Sequence, residues 1–259
     1  MAKKKLKKKA KKYIRIVVLI VLTIVLVLVG TQAIEYSKAD NQKLIPVDQK
    51  KEYYNISDFG FIRLRSNTDY NKNGNDDYLD FLKGEQQYAK FNPKYKNDYY
   101  AGGYPPVEKE GVCTDLIWYA FKNAGYSLKD MIDKDIKNTR KKKVYYIEIV
   151  DSNIDFRRVS NQDIFFERYA KTLDNDMYEI GEFMPGDILI FDDSAHIAMV
   201  SDKYTKDGVP YLIQNRDETQ KQKEENCLEE TDMEITGHYR FEYNKKIEKL
   251  INSIEVKNG

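Results

Sequence analysis

The sequence predicts an α+β domain, with helices first and an antiparallel sheet second, preceded by one transmembrane helix. Three observations carry this expectation. A basic N-terminus runs straight into an uncharged apolar stretch. The middle of the chain shows helical periodicity in its apolar residues. After Met184 that period gives way to short apolar runs separated by turn residues.

The first fifteen residues hold Lys3, Lys4, Lys5, Lys7, Lys8, Lys9, Lys11, Lys12 and Arg15, nine cationic side chains with no acid among them. Ile16 to Ile34 then gives nineteen residues without a charge. At ~1.5 Å of rise per residue a helix of that length covers about 28 Å, close to the hydrocarbon thickness of a bilayer. Residues 1–15 are therefore expected in the cytoplasm, 16–34 across the lipid bilayer and the rest outside it, on the cell membrane as a single-pass protein. The alternative is secretion after cleavage near Ala33, where Thr31 and Ala33 form a weak small-residue site.

Setting those nine charges aside leaves 34 basic residues against 42 acidic ones, a net charge of −8 hidden behind the near-neutral total. An acidic remainder does not suit a general polyanion binder, so nucleic acid is not an expected partner. About 220 residues follow the apolar run, enough for one large domain with its own core. Cys113 and Cys227 are the two cysteines, too few for a disulfide framework.

Residues 35–54 are polar and read as a stalk or linker. The clearest helix runs from Cys113 to Ala124, where Cys113, Leu116, Ile117, Ala120, Phe121 and Ala124 form one apolar face that Gly125 ends. Ser127 is expected to cap a second helix, with Leu128, Met131, Ile132 and Ile136 inward. Asn161 is expected to cap a third, with Ile164, Phe165, Tyr169 and Leu173 inward. Strands are expected at Ile188–Phe191, from His196 to Val200, at 211–215 and at 237–243, with turns at 185–187, 192–194 and 207–208. Residues 244–259 read as a helical tail.

Cys113 opens the best helix, where unpaired backbone N–H groups and the helix dipole favour an anion and so a thiolate. A nucleophilic thiol needs a base and a group to orient it. The chain offers His196 and His238. His196, at the start of a strand after an acidic turn, is the better placed. Gln214 or Asn215, at the end of the next strand, can hold its tautomer. Alternation along a strand sends those two side chains to opposite faces, so one of them alone can do so. Cys227, among Glu224, Glu225, Glu229 and Glu230, is expected to be non-catalytic.

Gly111-Val112-Cys113-Thr114-Asp115-Leu116-Ile117, then Gly186-Asp187-Ile188-Leu189-Ile190-Phe191, then His196-Ile197-Ala198-Met199-Val200 are similar to the NlpC-type cell-wall hydrolases, a papain-like group. More closely, the chain resembles the DUF1287 family, a domain of unknown function placed in that group. The matching pieces are the Asn/Asp run at 73–80, Gly102-Gly103-Tyr104-Pro105-Pro106, the Cys113 motif, Asn153 to Val159, and Gly237-His238-Tyr239-Arg240. Together they cover about residues 55–243.

The resemblance implies a papain-like fold with Cys113 as nucleophile, His196 as base and Gln214 as the third residue, where relatives often carry His. Phe156 stands where many relatives have His. The implied reaction is hydrolysis of an amide bond in the cell envelope, with peptidoglycan peptides as substrate and no cofactor for catalysis. Tyr104, Asp115, Arg157 and Arg158 are the expected substrate contacts. A guanidinium can grip a carboxylate with two parallel hydrogen bonds, although an ion pair within an acidic protein is an equal use of it. A catalytically silent domain that binds envelope polymer or a partner protein is the competing expectation.

Asp69, Asn71, Asn73, Gly74, Asp77 and Asp80 fall at positions 1, 3, 5, 6, 9 and 12 of a twelve-residue window, with Asn75 at position 7. That spacing wraps oxygens around Ca²⁺ in EF-hand-like loops. A structural calcium site and a solvated Asn/Gly/Asp turn are the two readings of this loop.

Overall fold

A computed structural model describes residues 52–255, so the basic segment and the apolar run at 16–34 lie outside the described residues. Among the described residues no helix is long and apolar enough to cross a membrane. In chain order the helices are α1 Asp77–Phe91, α2 Cys113–Asn123, α3 Leu128–Thr139, α4 Val159–Tyr169 and α5 Lys245–Glu255. Two short strands, β1 Lys94–Tyr95 and β2 Glu110–Gly111, pair in parallel between α1 and α2. The main sheet is formed by β3 Lys171–Thr172, β4 Ile188–Phe191, β5 His196–Tyr204, β6 Pro210–Ile213, β7 Glu224–Glu225 and β8 Ile235–Arg240. Its order is β3-β8-β4-β5-β6-β7, and every pair is antiparallel.

The expected α+β class and its order are therefore present. Three details of the helices differ. Helix α1 has no counterpart in the periodicity, because its inward face mixes Tyr78, Phe81, Leu82 and Tyr88 with buried Asp77, Asp80 and Glu85. Helix α4 starts two residues ahead of Asn161, whose side-chain amide instead donates to the Asp155 carbonyl at 2.8 Å. Leu173 lies beyond that helix, and its N–H pairs with the His238 carbonyl at 2.9 Å. Ordered pairing begins at Tyr54, which exchanges backbone hydrogen bonds with Tyr204.

Strand alternation divides the core. Ile188, Ile190, Ile197, Met199 and Ile213 face the helices and join the large cluster built by α1 to α4. Leu189, Phe191, Ala198, Val200 and Leu212 face the other way, against Phe183, Val209 and Leu228. The sheet is thus buried on both sides, which is why β4 is apolar at every position rather than alternating. Helix α1 lies close against α2, since a Cβ on Gly84 would stand 2.8 Å from the Cα of Ala120. At the other end of α2, Cys113 meets the start of β5 at the Ile197 N–H.

Candidate active site

Cys113 is the first residue of α2 and is buried. Its sulfur is approached by the backbone N–H groups of Ile197, Thr114 and Cys113 itself. All three favour a thiolate, but burial outweighs them and pushes the thiol up to about 11. Ile197 directly follows His196, so the thiol meets β5 at its first residues.

The His196 imidazole accepts no solvent role on its Nε2 side, because that nitrogen lies 2.8 Å from Gln214 Oε1. An amide oxygen only accepts, so Nε2 carries the proton and Nδ1 keeps the lone pair. The orientation of the amide is set from its other end. Gln214 Nε2 donates to Glu225 Oε2 at 3.3 Å and to Cys227 Sγ at 3.2 Å. Burial, the largest effect on the ring, holds the His196 pKa below the ordinary histidine value. Burial thus acts on both groups in the same sense, favouring a neutral thiol and a neutral imidazole.

Asn215 does a different job on the opposite face of the strand. Its Nδ2 donates to the Gly111 carbonyl at 2.8 Å and to the Tyr88 hydroxyl at 3.1 Å, while Lys223 Nζ donates to its Oδ1 at 2.8 Å. The end of β6 is thereby tied to the backbone just ahead of Cys113. Gly111 permits that approach, since a Cβ there would stand 2.9 Å from the Tyr88 hydroxyl.

The DUF1287 family, described as a domain of unknown function, matches residues 82–241, a span that holds the whole of this arrangement. The chain belongs to that family. An uncharacterized protein, YijF of Escherichia coli strain K12, is 32% identical over 156 residues, covering 58% of this chain and 73% of its own length. No solved structure matches the chain.

Several of the residue runs on which the family resemblance rests contact one another inside the fold. Asp115 accepts from Val112 N at 2.8 Å and Trp118 Nε1 at 2.8 Å, and pairs with Arg157 through Nε at 2.8 Å and Nη2 at 2.9 Å. Both side chains of that pair are buried, and Arg157 also donates to the Asp98 carbonyl. Arg157 thus takes the ion-pair alternative, and Asp115 departs from the expected substrate contact, since its oxygens are committed to Arg157, Val112 N and Trp118 Nε1. They are spent on fixing the first turn of α2, the turn that presents the thiol. Asp187 of the Gly-Asp strand binds Arg240 by two hydrogen bonds of 2.7 and 2.6 Å and faces His238 Nε2 at 3.1 Å. His238 Nδ1 faces the Asp174 carbonyl at 2.6 Å, so this ring is a structural member of the sheet.

Tyr104 is also placed differently from the expectation. Its ring packs edge-on to Trp118 and Phe156, and its hydroxyl meets Ser127, beyond the C-terminal end of the helix that Cys113 opens. The Tyr-Pro-Pro turn lines a separate cavity of about 480 Å³ with Trp118, Tyr119 and Lys122. Arg158 keeps a half-exposed side chain, with Asp155 at 3.7 Å. Sequence reading missed Tyr95. It pairs with Gly111 across the β1–β2 ladder, and the Cys113 sulfur is the first charge-bearing neighbour that, after burial, raises its hydroxyl. Its signal was only a tyrosine on a short run between Pro93 and the glycines, too brief to read as a strand.

In the 69–80 loop, Asp80 is buried and receives the side-chain amides of Asn71 at 2.8 Å, Asn73 at 2.9 Å and Asn75 at 3.0 Å. Asp69 accepts from Asn73 N and Gly74 N. Asp77 departs from the expected ligand set, because its two oxygens take Tyr70 N at 2.8 Å and Tyr126 Oη at 2.6 Å. A carboxylate already committed to two donors at the start of α1 is an anchor for that helix. Among the described residues, no three His, Cys, Asp or Glu side chains gather closely enough to hold a metal, so any cation here would rest on the asparagine oxygens as well.

Proposed function

We propose that this chain is a membrane-anchored, extracytoplasmic cysteine hydrolase of papain-like, NlpC-type fold that cleaves amide bonds of the cell envelope, with peptidoglycan peptides as its substrate. The observation that carries the reading is the chain of contacts from Gln214 to His196 to the strand start that meets Cys113 Sγ. In this reading Sγ attacks the amide carbonyl while its proton passes to His196 Nδ1. The imidazolium then protonates the leaving amine, and the same nitrogen deprotonates a water that hydrolyses the thioester. Backbone N–H groups at the start of α2 and the Tyr95 hydroxyl support the oxyanion. Arg158, still half exposed, suits a substrate carboxylate. The basic-then-apolar N-terminus supports the location, either as a retained span or as a leader cut near Ala33.

The 69–80 loop is proposed as a structural calcium site, held by Asp69, Asn71, Asn73, Asn75 and Asp80. Turning the three amides about their last bond would present three oxygens beside a buried carboxylate, a hard donor set. Bound there, the ion would tie the loop to α1 and, through the Asn123 amide that donates to the Asp80 carbonyl at 2.7 Å, to the end of α2.

The competing reading is a catalytically silent domain that binds envelope polymer, favoured by the burial of Cys113 and its raised thiol pKa of about 11. Incubation of the purified protein with envelope fragments, followed by mass spectrometry of the products, separates the two. Hydrolysis is expected with the wild type and is lost with Cys113→Ala. Fragments that stay intact with both but are retained on both proteins would establish the silent reading.

A further inference from the structure

Gln214 supplies a neutral oxygen to His196, so the third position of the triad carries no charge of its own. The structure nevertheless holds a carboxylate one residue further back. Glu225 Oε2 accepts from Gln214 Nε2 at 3.3 Å, and β6 and β7 hold the two side chains together through the Leu212–Glu225 and Ile213–Glu224 pairs. Gln214 is fully buried, and its oxygen and nitrogen face different chemistry on the two sides. A carboxylate can only accept, so it forces the nitrogen toward itself and the oxygen toward the imidazole.

We propose that Glu225 is a positioning residue that acts through Gln214, locking its amide oxygen onto His196 Nε2 and placing a negative charge behind the ring. This rests on the cysteine-hydrolase reading. The ordered chain is Glu225, Gln214, His196, Cys113, with the charge at the far end rather than in contact with the base. During attack the imidazole gains a proton, and the charge behind the amide lowers the energy of that cation. Cys227 Sγ, 3.2 Å from the same amide nitrogen, is a weak neutral acceptor, because burial and then Glu225 push its thiol up to about 11. The remaining charges near the ring are Arg216, which opposes its protonation, and Asp217 and Asp192, which favour it. Arg216 Nη1 also lies 4.0 Å from Glu225 Oε2, so it tempers the carboxylate without covering the amide.

The test measures alkylation of Cys113 by iodoacetamide in the purified full chain across pH. Peptide mapping separates Cys113 from Cys227, and an NMR titration of His196 is run in parallel. Glu225→Gln is expected to slow Cys113 alkylation at neutral pH by roughly threefold to tenfold, the scale of one charge lost from a half-buried site. It should also move the imidazole titration to lower pH while melting remains that of the wild type. Glu225→Asp, which keeps the charge on a shorter stem, should restore part of the rate. His196→Ala is the reference arm. A rate that falls in His196→Ala yet is unchanged, with an unchanged titration, in Glu225→Gln overturns the role of Glu225 and leaves the hydrolase reading standing. A Cys113 rate indifferent to His196→Ala overturns the hydrolase reading itself, and the Glu225 role with it.

Discussion

Arg157→Met removes one half of the buried pair that fixes the start of the cysteine helix, and the structure sets the scale of the damage. Asp115 would keep Val112 N and Trp118 Nε1 as donors, but its charge would lose the guanidinium that meets both of its oxygens. Removing one partner of a buried pair costs about 3–5 kcal/mol, because the survivor stays buried and uncompensated. Loss of the bond to the Asp98 carbonyl and of the stacking of the guanidinium over Tyr100 adds to this. For a body of this size each kcal/mol moves the melting temperature by roughly 2–4 °C, so a fall of about 10 °C is expected. Arg157→Lys, a point charge without the planar fork, should fall between variant and wild type. Asp115→Asn combined with Arg157→Met should recover much of the loss, since the amide removes the stranded charge and still accepts from Val112 N. Differential scanning calorimetry on the four proteins decides the matter. A loss below about 1 kcal/mol in Arg157→Met would refute the argument that this pair sets the helix start.

Glu85 is fully buried with neither carboxylate oxygen hydrogen-bonded, and burial, with Asp202, Glu224 and Asp187 adding to it, holds its carboxyl well above the ordinary range. The folded chain therefore binds a proton that the unfolded chain releases, so this group's contribution is intact below the ordinary glutamate pKa and is lost as pH rises through the folded value. Glu85→Met should accordingly melt above the wild type by an increment that grows as pH rises past the ordinary glutamate range; an increment that does not change with pH refutes it. For the 69–80 loop, millimolar Ca²⁺ should raise the melting temperature of the wild type and not of Asp80→Ala, and calorimetric titration without heat would end that proposal.

How far the sequence reveals this protein depends on what kind of signal each part leaves. Helix α2 was legible residue by residue because one face is uniformly apolar, and β4 and β5 because their runs are apolar and bounded by turns. Helix α1 was not, since three acids interrupt its inward face: Asp77 meets Tyr126, distant in sequence, Asp80 takes the amides of the loop just ahead of the helix, and Glu85 is buried with neither oxygen hydrogen-bonded. The proposed pair Cys113 and His196 could be nominated from a helix start and a strand start. The roles of Asp115, Arg157 and Tyr104 could not, because whether a polar side chain faces a cleft or a neighbouring carboxylate is a matter of tertiary contact. Alternation did say that Gln214 and Asn215 must diverge; which one meets the imidazole followed from the register of β5 and β6.

The Asp115–Arg157 contact also orders events in time. The two residues are 42 positions apart, with all of α3 between them, so the guanidinium reaches Asp115 only once the segment Asp155–Arg157 has docked. A contact closed across so long a loop forms late, after the local helices. On a nascent chain the helix that bears Cys113 would exist before the buried pair that braces its first turn. Its thiol would then have only the N–H groups of its own turn, and the Ile197 N–H and the burial that raises the thiol would arrive with the finished domain.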